Sequence, residues 1–327
     1  DYPKAEIGLE RAGSILNEFR DVESARNEAE FVIAGYNRLV DSYIKSQDYP
    51  KAEIGLERAG SILNDFRDVE SARNEAGFVI GGYTRLGHSY IDCQKYPEAE
   101  SALAQACTIL CDFRDVESAR NQAGFVIGGY TRLVDSYIKS QDYPKAETAL
   151  ERARSILNDF RDVESARKQA GYTISGHTNL VHSYIDCQKY PEAESVLVQA
   201  RTILYDFRDV ESARNQAEFV IAGYNRLADS YIKSRDYPKA EIALERAGSI
   251  LYEFRDVESA RNELEFVIAG YNRLADSYIK FRDYSKAEIG LERAASILND
   301  FRDVESARNE VGFVIGGYTR LVDCYTK

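Results

Sequence analysis

Three histidines and five cysteines are the side chains in this 327-residue sequence best suited to bind a metal or act as nucleophiles. His88 and Cys93 stand five residues apart, as do His182 and Cys187. That spacing swings the two side chains to different faces of a helix, and a zinc site needs about four converging ligands. Cys107 and Cys111 are one helical turn apart, with no second pair to complete a site. The expectation is therefore small thiols and no metal. No GxSxG, HExxH, phosphate-binding glycine loop or dinucleotide fingerprint occurs. Neither catalytic residues nor a cofactor are expected, and the chain does not read as an enzyme.

The positions of the remaining polar residues follow from a repeat. The string DYPKAE or a close relative begins at Asp1, Asp48, Lys95, Asp142, Lys189, Asp236 and Asp283, a constant step of 47 residues. The expected organisation is one solenoid over 1–327, in units 1–47, 48–94, 95–141, 142–188, 189–235, 236–282 and 283–327. Near-copies of one unit also argue against catalysis, which needs an asymmetric cluster.

Composition limits the partners. Lys and Arg number 42 and Asp and Glu 54, a net charge of −12, which repels phosphate backbones and anionic lipid. Nucleic acid is not an expected partner. No apolar run approaches the ~20 residues of a membrane span, so insertion is not expected either. Five irregularly placed cysteines do not make a disulfide framework. The sequence contains no methionine, so residue 1 is read as the start of a processed chain or of a window on a longer one. Compartment stays open: outside the cell for a fibre, cytoplasmic for an adaptor.

Within the first unit Pro3 suits a first helical turn. Ala5, Leu9, Ala12, Leu16 and Phe19 then step by 4, 3, 4 and 3, predicting a short helix over about 3–19. Asp21 reads as an N-cap, and Val22, Ala25, Ala29, Val32, Tyr36, Leu39 and Tyr43 predict a long helix over about 22–45. Glycines at Gly77, Gly124, Gly171 and Gly312, and the pairs that follow in three units, each weaken that helix by up to ~1 kcal/mol and leave a break there open. Gly35 and its equivalents are expected to admit a neighbouring helix closely. The block from Phe19 to Arg26 is identical in all seven units. Its expected role is structural, with Arg26 pairing with Glu23. Lys45 with Asp48, and Asp92 with Lys95 in reverse, predict local ion pairs across the turn.

Tyr36, Leu39 and Tyr43, followed by Ala52, Leu56 and Ala59, resemble the tetratricopeptide repeat. The pattern recurs as Tyr83, Leu86, Tyr90, Ala99, Leu103 and Ala106, and on along the chain, with His177 replacing one leading aromatic. The unit exceeds the family's usual 34 residues, and its helix-ending proline is absent. The resemblance implies an all-α fold, an α-solenoid superhelix of seven antiparallel helix-pair repeats, with the long helices lining a concave peptide-binding side. On that side it implies Asn37, Arg38, Asp41 and Lys45, then Thr84, Arg85, His88 and Asp92. The later equivalents include Arg132, Asp135, Asn179, Arg226, Asp229, Arg273, Asp276 and Arg320. The arginines would form a ladder broken at Asn179, gripping carboxylates of a peptide or simply pairing with Asp at i, i+3. The solvated pairing is the favoured expectation.

The first unit opens on a short helix without its long partner, and the last closes on a long helix, about Val304 to Lys327, without its short one. Placed head to tail, Tyr318, Leu321 and Tyr325 of one copy would meet Ala5, Leu9 and Ala12 of the next, with Lys327 facing Asp1. A ~24-residue helix covers ~350 Å² per side. About 700 Å² buried at ~25 cal/mol/Å² is ~15 kcal/mol gross, against ~4–15 kcal/mol for association. Such a contact is heterologous and gives a ring or a filament. The expected function is a structural protein that stacks end to end. The alternatives are an adaptor holding a partner peptide and, more weakly, a designed consensus array.

Overall fold

The computed structural model describes residues 2–326, and every regular element among them is an α-helix. Asp1 and Lys327, expected to meet across a junction, lie outside the described residues. The chain divides into two compact units, 1–169 and 170–327. The first contains α1 (Tyr2–Glu18), α2 (Glu23–Lys45), α3 (Tyr49–Asp65), α4 (Glu70–Asn74), α5 (Ala76–Asp92), α6 (Tyr96–Asp112), α7 (Glu117–Arg120), α8 (Ala123–Lys139), α9 (Tyr143–Asp159) and α10 (Glu164–Arg167). The second contains α11 (Ala170–Asp186), α12 (Tyr190–Asp206), α13 (Glu211–Arg214), α14 (Ala217–Lys233), α15 (Tyr237–Glu253), α16 (Glu258–Asn262), α17 (Leu264–Lys280), α18 (Tyr284–Asp300), α19 (Glu305–Asn309) and α20 (Val311–Tyr325).

Each unit is an α-solenoid of tetratricopeptide-like antiparallel pairs, such as α2 with α3 and α14 with α15. The turn inside a pair is three residues long because Gln47 adopts a left-handed conformation, φ 61°. There the Asp48 N–H donates to the Tyr43 carbonyl at 2.9 Å and the Gln47 N–H to that of Ile44 at 3.0 Å. These two hydrogen bonds close the helix end in the manner usually assigned to glycine. The motif residues fill the core: Ala52, Leu56, Ala59 and Leu86 are fully buried, and Tyr83 and Tyr90 nearly so. The close approach expected at Gly35 is present, since a Cβ there would lie 2.5 Å from Leu9 Cδ2, and Gly82 faces Leu56 in the same way.

The long-helix expectation holds only for α2. In every later unit the helix breaks after four or five residues, as between α4 and α5 or α16 and α17. The predicted final helix is likewise split into α19 and α20. The break accompanies a preceding helix pair. It lets the Ser118 hydroxyl donate to the Asn74 carbonyl at 2.6 Å, and the Ser165 hydroxyl to that of Asn121 at 3.1 Å. Nothing precedes α2 among the described elements except α1, and there the helix runs on.

Asp21 and its equivalents are not N-caps. The cap position of α2 is Val22, in extended conformation and without a side-chain bond. The aspartates receive the arginine of the preceding unit instead: Arg26 pairs with Asp68, Arg73 with Asp115, Arg120 with Asp162 and Arg214 with Asp256, each at 2.5 Å. The invariant block is thus a clamp between units, where pairing with Glu23 had been expected. The ion pair expected between Lys45 and Asp48 is also replaced. Asp48 pairs with Lys51 at 3.7 Å, and Asp142, Asp236 and Asp283 cap their own helices by accepting from backbone N–H groups.

Candidate interaction surface

The helices that carry the arginine ladder, α2, α5 and α8 in the first unit and α11, α14, α17 and α20 in the second, stack side by side within each unit. The i, i+3 pairing expected of the ladder does not form. Each guanidinium reaches back to the preceding unit: Arg85 to Asp41 at 2.7 Å, Arg273 to Asp229 at 2.7 Å and Arg320 to Asp276 at 2.8 Å. Where that aspartate is replaced by His88 or His182, the arginine moves one turn along the helix. Arg132 then pairs with Asp92, and Arg226 with Asp186 at 2.6 Å. This accounts for the aspartates at those two junctions, while across the second turn Lys189 lies over the Tyr184 ring at 5.9 Å. Such half-exposed pairs are worth about 0–1 kcal/mol each. They set the register of neighbouring units more than they grip a ligand.

The other ladder positions separate by depth. Lys45, Arg38 and Asn179 are exposed, and Asp41 and His88 half-buried. Asn37 and Thr84 are not surface groups: they are 7% and 3% exposed. Burial and the neighbouring Arg132 and Arg226 push His88 and His182 below the usual imidazole range. Cys107 is pushed up to about 12 by burial and by Cys111, and so remains a thiol. Among the described residues no group of three or more His, Cys, Asp or Glu is arranged to hold a metal. The tyrosines are scaffold. The Tyr43 and Tyr137 hydroxyls donate to glutamates on the short helix of their own repeat, Glu6 at 3.0 Å and Glu100 at 3.2 Å.

Two surfaces escaped the periodicity. Phe31, Phe78, Phe125, Tyr172, Phe219, Phe266 and Phe313 are all 43–65% exposed, one aromatic ring per unit beside the buried stripe. The signal was an aromatic held at one position off that stripe. The second surface comprises the open faces of α1 and α20. On α1, Ala5 is exposed and Leu9 and Ala12 half-buried, while Ile15 is 56% exposed and Phe19 and Val22, in the turn that follows α1, are 47% and 46%. On α20, Tyr325 is exposed and Tyr318 half-buried as named above, whereas Leu321 is turned inward at 3%. Ile315 and Val322 stand on the open face instead, at 61% and 56%.

One charged cluster depends on pH. Glu263 is pushed up to about 7 by burial and by the nearby Glu218. A carboxyl raised in the folded chain above its ordinary value favours folding while protonated. Its contribution is complete at low pH and is lost as pH rises through 7. With solvent screening at this partly exposed group, we expect about 1–2 kcal/mol less stability at pH 8 than at pH 5 from this residue. Urea titrations of the chain against Glu263→Gln measure that difference directly, and parallel pH profiles for the two would contradict it.

No family model and no curated protein matches the chain. Solved structures do. A circular tandem repeat protein with novel repeat topology is 16% identical, with 98% of this chain and 83% of that one covered and a TM-score of 0.40. BtubC from P. vanneervenii is 18% identical over 81% of this chain and 93% of that one, with a TM-score of 0.34. The TPR2AB domain of yeast Sti1, in a complex with pHSP90, is 16% identical over 89% and 98%, with a TM-score of 0.28.

Proposed function

We propose that the chain is a non-catalytic interaction scaffold whose α20 face stacks on the α1 face of a further copy, head to tail. The observation that carries this reading is a contrast between equivalent positions. Ile15 is 56% exposed where Ile62 is 4%, Ile315 is 61% where Ile33 is 0%, and Tyr325 is 57% where Tyr43 is 3%. Groups covered by a neighbouring unit inside the stack are bare on these two faces. A contiguous apolar face of this kind marks an interaction site.

The charges support the same occupant. Arg308 and Asp323 stand at the α20 end, Asp21 and Arg38 at the α1 end. They are the counterparts of the contacts made inside the chain by Arg26 with Asp68 and by Arg85 with Asp41, and Arg308 meanwhile donates to the carbonyls of Arg302 and Asp303. Sedimentation velocity from 1 to 100 µM tests the reading. Mass is expected to grow with concentration, and Ile315→Asp to hold the chain monomeric. A wild-type chain that stays monomeric at tens of micromolar rejects it. A second reading, an adaptor that binds a partner peptide along the ladder helices, is favoured by the exposed ring in every unit. Loss of peptide capture on changing Phe78 and Phe125 to serine, with mass unaffected, would support it over stacking.

A further inference from the structure

A cleft of about 390 Å³ opens between α15 and α18, lined by the buried Gly248 and Tyr271 and by the exposed Glu245, Tyr252 and Arg293. Gly248 is covered, yet a Cβ there would meet no neighbouring atom within 4 Å. The two helices carry none of the ladder arginines, and the cleft shares no residue with the open faces of α1 and α20.

One repeat earlier the chain shows what such a space holds. The position of Gly248 is there taken by Arg201, whose guanidinium lies over the Tyr205 ring at 5.4 Å. Tyr252 is the equivalent ring and is set in the same way. Tyr205 packs on Phe254 at 5.9 Å and Tyr252 on Phe301 at 5.4 Å, with the Tyr252 hydroxyl donating to Asp300 at 2.7 Å. Among the described residues no cation lies over Tyr252, because glycine has replaced the arginine that would reach it. The charges follow the same exchange. Where Arg201 is supplied from within, the residue one turn before it is Val198. Where it is missing, that residue is Glu245, which makes no ion pair among the described residues. Gly13 and Gly60 occupy the same repeat position but are followed by Asn17 and Asn64 in place of the ring, and at Gly13 the carboxylate of Glu10 is taken by Arg58.

We infer that the cleft at Gly248 is a receptor for an arginine side chain presented by a partner protein. The incoming guanidinium lies over the Tyr252 ring, as Arg201 lies over Tyr205, and its N–H groups face the Glu245 carboxylate. Arg293 does not bar it, since its equivalent Arg246 lies over the Tyr224 ring at 5.9 Å in the cleft that Arg201 fills. An anion on Arg293 would meet both Glu245 and Asp300, and a net charge of −12 attracts a basic partner instead. The site does not depend on stacking.

The test is calorimetric titration of the full chain carrying Ile315→Asp, with a blocked pentapeptide holding one arginine between glycines and, separately, sodium phosphate. The peptide is expected to bind the parent, and at least tenfold more weakly Gly248→Arg, which introduces the side chain found at Arg201. Gly13→Arg, at the equivalent place in the first unit, is expected to bind as the parent does. Urea unfolding gives a readout without any probe. Gly248→Arg should unfold at a higher midpoint than Gly248→Ala, because alanine is the better helix former and only arginine reaches the ring. No peptide binding by the parent, equal affinity in the parent and Gly248→Arg, equal losses in Gly13→Arg and Gly248→Arg, or an arginine variant less stable than the alanine one overturns the inference. So does phosphate binding that Gly248→Arg strengthens, which would assign the cleft to an anion.

Discussion

Phe66→Ala is expected to cost the chain ~3–5 kcal/mol, and Phe19→Ala less than about 0.5 kcal/mol, although the two residues stand in the same eight-residue string. Phe66 is fully buried and Phe19 is 47% exposed. The difference comes from what lies before each ring. Phe113 has the Arg67 guanidinium over its face at 6.0 Å, and Phe254 has the Tyr205 ring edge-on at 5.9 Å, in each case a group of the preceding unit. Removing a fully buried phenylalanine forfeits its transfer energy and leaves a cavity, whereas a half-exposed one has little to lose. Urea unfolding of dilute protein measures both. Under the stacking proposal Phe19 acquires its preceding unit only from another copy. Phe19→Ala should therefore weaken assembly while leaving the dilute chain's midpoint where it was. Equal losses of stability at the two sites would mean that Phe19 is packed in the single chain after all.

Helix type, helix spacing and the core could be read from the residues because each is a local property. The 4, 3, 4, 3 steps of Ala5 to Phe19 place one apolar stripe on a helix whatever surrounds it. Gly35 could be read as a point of close approach because a helix interior otherwise disfavours glycine. The partners of the charged residues could not be read. With a period of 47, an arginine has the same aspartate available three residues away in its own unit and about 44 away in its neighbour. Asp41 was expected to take Arg38 and takes Arg85. Arg26 was expected to take Glu23 and takes Asp68. The helix break has the same origin. Nothing in the string from Glu70 to Ala76 forbids a helix, and the equivalent stretch of α2 is one. The turn opens in the units that follow a complete helix pair, and at Ser118, Ser165 and Ser306 the serine there bonds to a carbonyl of the preceding unit. Interactions between units therefore decide both the pairing and the break, and a repeated sequence states them ambiguously.

Glycine at one repeat position should show opposite signs at two places. Gly124→Ala is expected to destabilise the chain by ~2–4 kcal/mol, whereas Gly312→Ala is expected to stabilise it by ~0.5–1 kcal/mol. A Cβ at Gly124 would overlap the backbone carbonyl of Ser165, which cannot turn aside as a side chain can. Relief requires the α10 segment to move away from α8. That movement also sacrifices the bond from the Ser165 hydroxyl to Asn121, so overpacking and a lost hydrogen bond add. At Gly312 a Cβ meets nothing within 4 Å, and the only effect in the single chain is the better helix propensity of alanine. Thermal and urea midpoints of the two variants test the pair, and a loss of stability at Gly312 would show that its face is already covered. The stacked state reverses the benefit. Gly312 is the equivalent of Gly124, so a following copy would bring its Ser24 backbone against the new methyl group. The variant that is the more stable monomer should then be the poorer polymer, and a concentration series on Gly312→Ala separates helix propensity from contact between copies.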